Sequence, residues 1–395
     1  MNSLICSLLL LLVGTNAQAQ EVDSFTDRPF MIERLRDATD LSDRFVNDLI
    51  AEVVQKLNDR KSRKALGPDA EDAIVASVFQ SPISPELFSP VEDWIKSAAR
   101  VQRYRLSFRG VYGGAVDYDD MYMAWYVGLS PTIRLAGVLM GLDKISHFFG
   151  QGWQYFERNR VLAREQKALS EGDRFDLVRK FGHDLEERHL GLMNDGVYSY
   201  GDMASNWQGF LFYQRLIGSG RNAHIIRSEG GRYALGTPFT FRDYVTDEFD
   251  EVLNPNRLRT ERFYLKVAVN FHQQSPSGNR SVCGDYLADR GRYLNRTGRS
   301  MERVDYTWSG DPGAKPKAPL VLRIEEICAR DVLPGPIQRS SASEKSASLA
   351  TSRITRLFTV RDLPMPDWPT SKVVLPSRYG RSGSTSNLAD IGMTG

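Results

Sequence analysis

Three short stretches of this 395-residue chain carry side chains that could do chemistry together. The first is Gly141-Leu142-Asp143-Lys144-Ile145-Ser146-His147-Phe148-Phe149. Asp143 and His147 stand four apart, so a helix puts them on one face. Phe148, Phe149, Trp153 and Phe156 set them against an apolar background, where a carboxylate and an imidazole need partners. The second is His183-Asp184-Leu185-Glu186-Glu187-Arg188-His189. His183 and Glu187 are four apart, and Glu186 with His189 forms the Glu-x-x-His pair found in di-iron bundles. The third, Ser199-Tyr200-Gly201-Asp202-Met203-Ala204-Ser205-Asn206-Trp207-Gln208-Gly209, again spaces Asp202 and Asn206 by four. Its Gly209 would let a neighbouring helix approach closely. A His oriented by Asp143 could act as general base or metal ligand, and carboxylates favour hard cations. Each pair also has a plainer reading. Asp143 could cap a helix with Lys144 in solvent, Asp202 could be an N-cap, and Glu186, Glu187 and Arg188 could form a solvated face. A dimetal bundle site needs two Glu-x-x-His motifs plus two further Glu, and one motif is visible.

Helices must position these groups. Apolar residues recur at helical spacing from Leu41 to Leu57, with Thr39 or Asp40 as cap. Ser89-Pro90-Val91-Glu92 reads as a capping box with Pro at the first helical position. Val138 to Leu169, Asp173 to His189 and Asp202 to Ile217 read as consecutive helices with short links, which favours an antiparallel bundle. Tyr104 to Val116 reads as a short strand or hairpin, and Tyr122 to Leu142 as buried soluble structure. Val267 to Phe271 and Leu320 to Ile324 read as minor strands. The expected fold is therefore mainly α, a soluble antiparallel helical bundle with a few β-strands over residues 20–335. A Ser/Pro-rich segment, 336–395, holds too little apolar surface to offset chain entropy and is expected to be poorly ordered.

Taken together and in this order, the stretches resemble the VanZ-like group and a related set of periplasmic lipoproteins. That pattern is Asp-Lys-x-x-His on one helix, a Glu, then Asp-x-x-x-Asn-x-x-Gly on a later helix. Here it reads Asp143-Lys144-x-x-His147, Glu187, and Asp202-x-x-x-Asn206-x-x-Gly209 over residues 138–217. The spacing in that group selects Glu187 over Glu186. The resemblance implies an envelope protein whose helices meet at Asp143, His147, Glu187, Asp202 and Asn206, and it transfers no settled activity. VanZ-like proteins are membrane-embedded, whereas this stretch is too charged to span a bilayer. The lipid-bearing Cys of the lipoprotein relatives is absent.

Residues 1–19 read as a signal peptide. An apolar run from Leu4 to Val13 is followed by Ala17-Gln18-Ala19, with cleavage expected after Ala19. The run is about half the ~20 apolar residues of a spanning helix. The expected location is the periplasm or the outside of the cell. Cys283 and Cys328 would then meet oxidising conditions, where one disulfide could add ~2–4 kcal/mol; two buried thiols are the alternative.

A net charge of +2, with 25% charged and 41% hydrophobic residues, argues against nucleic acid as a partner. An envelope lipid, cell-wall material or another protein remains as partner. No nucleophile elbow, phosphate loop, dinucleotide fingerprint or zinc Cys/His spacing is present.

Three functional readings follow. In the first, the cluster is a buried hydrogen-bond network that fixes helix registry in a non-enzymatic envelope protein. In the second, the chain is a metal-assisted hydrolase of a lipid or cell-wall substrate, with Asp143, His147, Glu187, Asp202 and Asn206 as its machinery. His147, Glu187 and Asp202 would then ligate a divalent metal. In the third, Trp125, Tyr126, Trp153 and Tyr155 line a pocket for an apolar ligand.

Overall fold

The computed structural model describes residues 22–59, 70–81, 89–106, 110–115, 129–218, 225–273, 280–300 and 320–329. The chain divides into two units, Met1–Pro334 and Gly335–Gly395, and every described residue belongs to the first. The expected signal peptide, the Ser/Pro-rich segment, Trp125 and Tyr126 lie outside the described residues.

The fold is mainly α-helical, with strands only in short antiparallel pairs. Helix α1 (Arg28–Arg34) precedes α2 (Thr39–Asn58), which buries Val46, Ile50, Val53 and Leu57 along one stripe. Thr39 does not cap α2 with its own side chain. Its backbone N–H donates instead to Asp37 Oδ1 at 2.8 Å. Helices α3 (Ala70–Phe79) and α4 (Pro90–Ser97) follow, and Ser89 caps α4 through Val91 N–H with Pro at the first helical position. Glu92 does not close the expected capping box. It is buried, accepting a hydrogen bond from Ser146 Oγ and pairing with Lys96 at 2.5 Å.

Strands β1 (Thr132–Leu135) and β2 (Val138–Gly141) form a hairpin through Ala136 and Gly137, both at positive φ. That turn fits the two-residue hairpin geometry, and it is why the helix expected from Val138 begins only at Asp143. Of the stretch expected as a short strand or hairpin, the described residues show Tyr104 paired with Thr132 as a single bridge and Gly110–Tyr112 as a 3-10 turn.

The central feature is a helical run from Asp143 to Glu165. It comprises α5 (Asp143–Ser146), a π turn (His147–Gln151) and α6 (Gly152–Glu165). Helix α7 (Glu171–Arg188) starts at a Ser170/Asp173 capping box, and α8 (Tyr200–Ile217) is capped by Ser199. Between them lie a second π turn, Gly191–Asp195, and β3 (Val197–Tyr198). Strands β4 (Ile226–Glu229) and β5 (Arg232–Leu235) pair together, and β6 (Arg257–Leu258) pairs with β3. Helices α9 (Glu261–His272), α10 (Val282–Ala288), α11 (Arg290–Leu294) and α12 (Ile324–Ala329) complete the described fold.

Val267 to Phe271, expected as a strand, lies inside α9. Phe263, Val267 and Phe271 are buried at four-residue intervals, the helical period. Val321 makes one bridge to Arg257, and Ile324 already begins α12. Cys283 and Cys328 form a disulfide that ties α10 to α12.

Aromatic rings dominate the packing around the central helices. Phe148 and Phe149 meet edge to face at 4.8 Å, and Phe79, Phe212, Phe239, Phe241 and Tyr244 extend the cluster. Trp153 and Tyr155 are buried within this core. Glycines let α6 and α8 touch: a Cβ on Gly152 would stand 2.6 Å from Gly209 Cα, and one on Gly209 would collide with the Phe148 carbonyl. Among the described residues, no helix is long and apolar enough to cross a membrane.

Candidate functional site: a buried lysine among carboxylates

Lys144 is fully buried, not in solvent. Its Nζ lies 2.7 Å from Asp143 Oδ2, 2.6 Å from Asp202 Oδ1 and 2.7 Å from Glu251 Oε1. These carboxylates come from α5, from the first turn of α8, and from the segment leading to β6. An ammonium has three N–H donors, and three buried carboxylates face this one. Leu142, not Asp143, holds the N-cap position of α5, and Ser199 takes the N-cap position of α8 that Asp202 could have filled.

His147 sits one helical turn after Asp143. Its Nε2 is 3.2 Å from Asp202 Oδ2, and its Nδ1 is 3.0 Å from the Asn206 side-chain amide. The two orientations of that amide select two tautomers. With the NH2 toward the ring, it also donates to the Asp202 and His147 backbone carbonyls, both at 3.2 Å. Nδ1 then accepts, and the ring proton sits on Nε2, facing Asp202. With the amide oxygen toward the ring, Nδ1–H would donate and Nε2 present a lone pair, but that oxygen would then face the two backbone carbonyls, so the first orientation is the favoured one. The π turn that begins at His147 closes by a Gly152 N–H bond to the His147 carbonyl. Such insertions recur at functional sites.

Asp143, His147, Asp202 and Asn206 are therefore brought together as the sequence spacing implied. Glu187 is not. It is partly exposed and pairs with Arg257 at 2.9 Å, outside the group formed by Asp143, His147 and Asp202. The reason is helical rotation of about 100° per residue. The preceding residue, Glu186, faces inward and is buried. Its Oε1 accepts from Ser199 N–H at 3.0 Å. His183, on the same buried face, contacts Tyr198 OH through Nδ1.

Sequence spacing missed Glu251 and Asp195, which come from outside the three motifs, and gave no role to Ser199, which opens the third. Glu251 also accepts from Asn256 Nδ2 at 2.9 Å. Its neighbour Asp250 forms a two-pronged pair with buried Arg28, at 2.5 and 3.1 Å, tying this segment to α1. A usable signal was present in the acidic run Asp247-Glu248-Phe249-Asp250-Glu251, four acids around one Phe, where apolar neighbours require the charges to find partners.

The electrostatics follow from burial and from the surplus of carboxylates. Burial alone would raise Asp202, but the His147 ring and Lys144 outweigh it and hold its carboxyl below the usual value. Burial pushes Glu251 up to about 7 against the pull of Lys144, with Asp143 and Asp202 adding to the rise. Burial, then the Asp202 charge, lifts Glu186 well above the ordinary range. Asp195 rises for the same reasons, with Asp143 contributing. His183 is lowered by burial, against the opposing charges of Glu187 and Asp184. Asp143, His147 and Asp202 each place one potential ligand atom within 4.8 Å of the others. This arrangement can store a cation, hold a proton between His147 and Asp202, or lock the helices that carry it. The chain matches no protein-family model, no curated protein and no solved structure.

Proposed function

We propose that the chain is an exported protein of the bacterial cell envelope, in which the Lys144 cluster is a structural network that fixes how the central helices dock. The observation that carries the network reading is the seating of one fully buried ammonium on carboxylates from three separate segments, at 2.6–2.7 Å. Buried charges are stable only when paired and hydrogen-bonded. A sequence that misaligned α5 and α8 by one residue would strand Lys144 and Asp202, so the network selects one registry. The envelope assignment rests on the apolar run and Ala17-Gln18-Ala19 at the start of the chain, and on the resemblance of the Asp143-Lys144-x-x-His147 and Asp202-x-x-x-Asn206-x-x-Gly209 motifs to the VanZ-like group. Its partner would be an envelope lipid, cell-wall material or another envelope protein.

Expression of the full chain in a Gram-negative host, followed by fractionation and N-terminal sequencing, tests the location. The expected product is periplasmic and begins at Gln20. A cytosolic chain retaining residues 1–19 would overturn export. The network reading predicts that His147→Ala melts well below the parent protein; an unchanged melting curve would remove it.

A second reading, a metal-assisted hydrolase of a lipid or cell-wall substrate, is favoured by the approach of Asp143, His147 and Asp202. Trp153 and Tyr155 are packed into the core, which favours a structural role for these aromatics over a ligand-binding surface.

A further inference from the structure

The network leaves specific atoms over once Lys144 is satisfied. Lys144 takes Asp143 Oδ2, Asp202 Oδ1 and Glu251 Oε1. Glu251 Oε2 accepts from Asn256. Asp202 Oδ2 faces His147 Nε2, and Asp143 Oδ1 is buried with no hydrogen-bond partner among the described residues. A buried carboxylate oxygen without a partner is costly. Three buried carboxylates, Asp143, Asp202 and Glu251, share the one buried lysine.

We propose that Asp143, His147 and Asp202 bind one first-row divalent cation, Zn2+ by preference, beside Lys144. The inference rests on the cluster described above but not on its structural role. Three observations carry it. The candidate ligand atoms lie within 4.8 Å of one another. The Nε2–Oδ2 separation of 3.2 Å matches two ligands on one ion with bonds of about 2.0–2.2 Å. Asn206 supplies the outer contact that such a His requires. The Asn206 NH2 faces Nδ1 and donates to the Asp202 and His147 backbone carbonyls; turning the amide oxygen to Nδ1, 3.0 Å away, would free the Nε2 lone pair for a cation shared with Asp202 Oδ2. One imidazole and two carboxylates suit Zn2+ better than Ca2+, which prefers six to eight oxygens. Lys144 then orients both aspartates from behind, as a positioning residue.

The test is calorimetric titration of chelator-treated full chain with Zn2+, and separately with Ca2+. One equivalent of Zn2+ should bind, more tightly than Ca2+, to the parent protein and to Glu187→Gln. Binding should be lost in Asp143→Asn and His147→Gln, and weakened about 10- to 100-fold in Asn206→Leu. No Zn2+ uptake by the parent protein, tighter Ca2+ than Zn2+ binding, or full binding by a folded His147→Gln would each overturn the proposal. Should the variants fail to fold, the parent stoichiometry and the ion order still decide it. Melting in excess chelator tests the structural network separately, so failure of one reading is distinct from failure of the other.

Discussion

Replacing Lys144 with Met removes one charge and keeps the length of the side chain. The substitution leaves Asp143, Asp202 and Glu251, all buried and formerly within 2.7 Å of the ammonium, facing one another without a counter-ion. Breaking a buried pair by deleting one partner costs ~3–5 kcal/mol, because the remaining charge stays buried. Here three carboxylates lose their partner, so the cost should reach at least the upper end, limited by protonation of Glu251, whose pKa is already about 7. A loss of that size is a large fraction of the ~5–15 kcal/mol that holds a typical domain. Urea unfolding at pH 8 in chelator, followed by circular dichroism, reads it. The expected Lys144→Met midpoint is far below the parent, and Glu251→Gln added to it should recover part of the loss by deleting one stranded charge. A Lys144→Met midpoint within the roughly ±0.5 kcal/mol of an ordinary surface change, or no recovery in the double variant, would refute the reasoning.

The same physics gives three further expectations. Reduction of Cys283–Cys328, which closes a separation of 45 residues, should lower stability by up to about 4 kcal/mol on the loop-entropy relation; a melting curve unaffected by reductant would contradict it. Gly209→Ala pushes a methyl into the Phe148 backbone and should cost ~1–3 kcal/mol by forcing the π turn and α8 apart, read as a lower unfolding midpoint. The raised Glu186 carboxyl binds its proton more tightly in the fold than in the unfolded chain. Its contribution is therefore present below the unfolded value near 4.5 and is lost as pH rises through the folded value. Compared with Glu186→Gln, the parent protein should gain relative stability as pH falls from 8 toward 5; a difference that stays constant across that range would count against this.

Much of the helical frame is legible in the sequence, because it depends on local periodicity. The stripe through Ile50, Val53 and Leu57 and the cap at Ser89 are visible without tertiary knowledge, whereas the Ser170 cap, which starts α7 two residues before the expected Asp173, goes unread. The i to i+4 spacing placed Asp143 beside His147 and Asp202 beside Asn206, and both pairs share the cluster. What stayed hidden depends on long-range contact. Whether Glu186 or Glu187 faces inward turns on one residue of helical phase; Glu186 is the buried one, while the spacing of the resembling group selects Glu187. Lys144 looks like any solvated lysine until Glu251, more than 100 residues later, is folded against it. Val267 to Phe271 reads as a strand because five largely apolar residues carry no clear period; only Phe263, one turn earlier, reveals the helix.

The most direct measurement is a pair of double-mutant cycles on unfolding free energy in chelator, His147→Gln with Asp202→Asn and His147→Gln with Glu187→Gln. Residues in one network show interaction energies of about 0.5–3 kcal/mol, whereas independent sites add to within ~0.3–0.5 kcal/mol. The structure predicts coupling of at least 1 kcal/mol for His147 with Asp202, on the order expected within such a network, and additivity for His147 with Glu187. Additivity in the first cycle, or equal coupling in both, would contradict the buried cluster as the element that locks this fold.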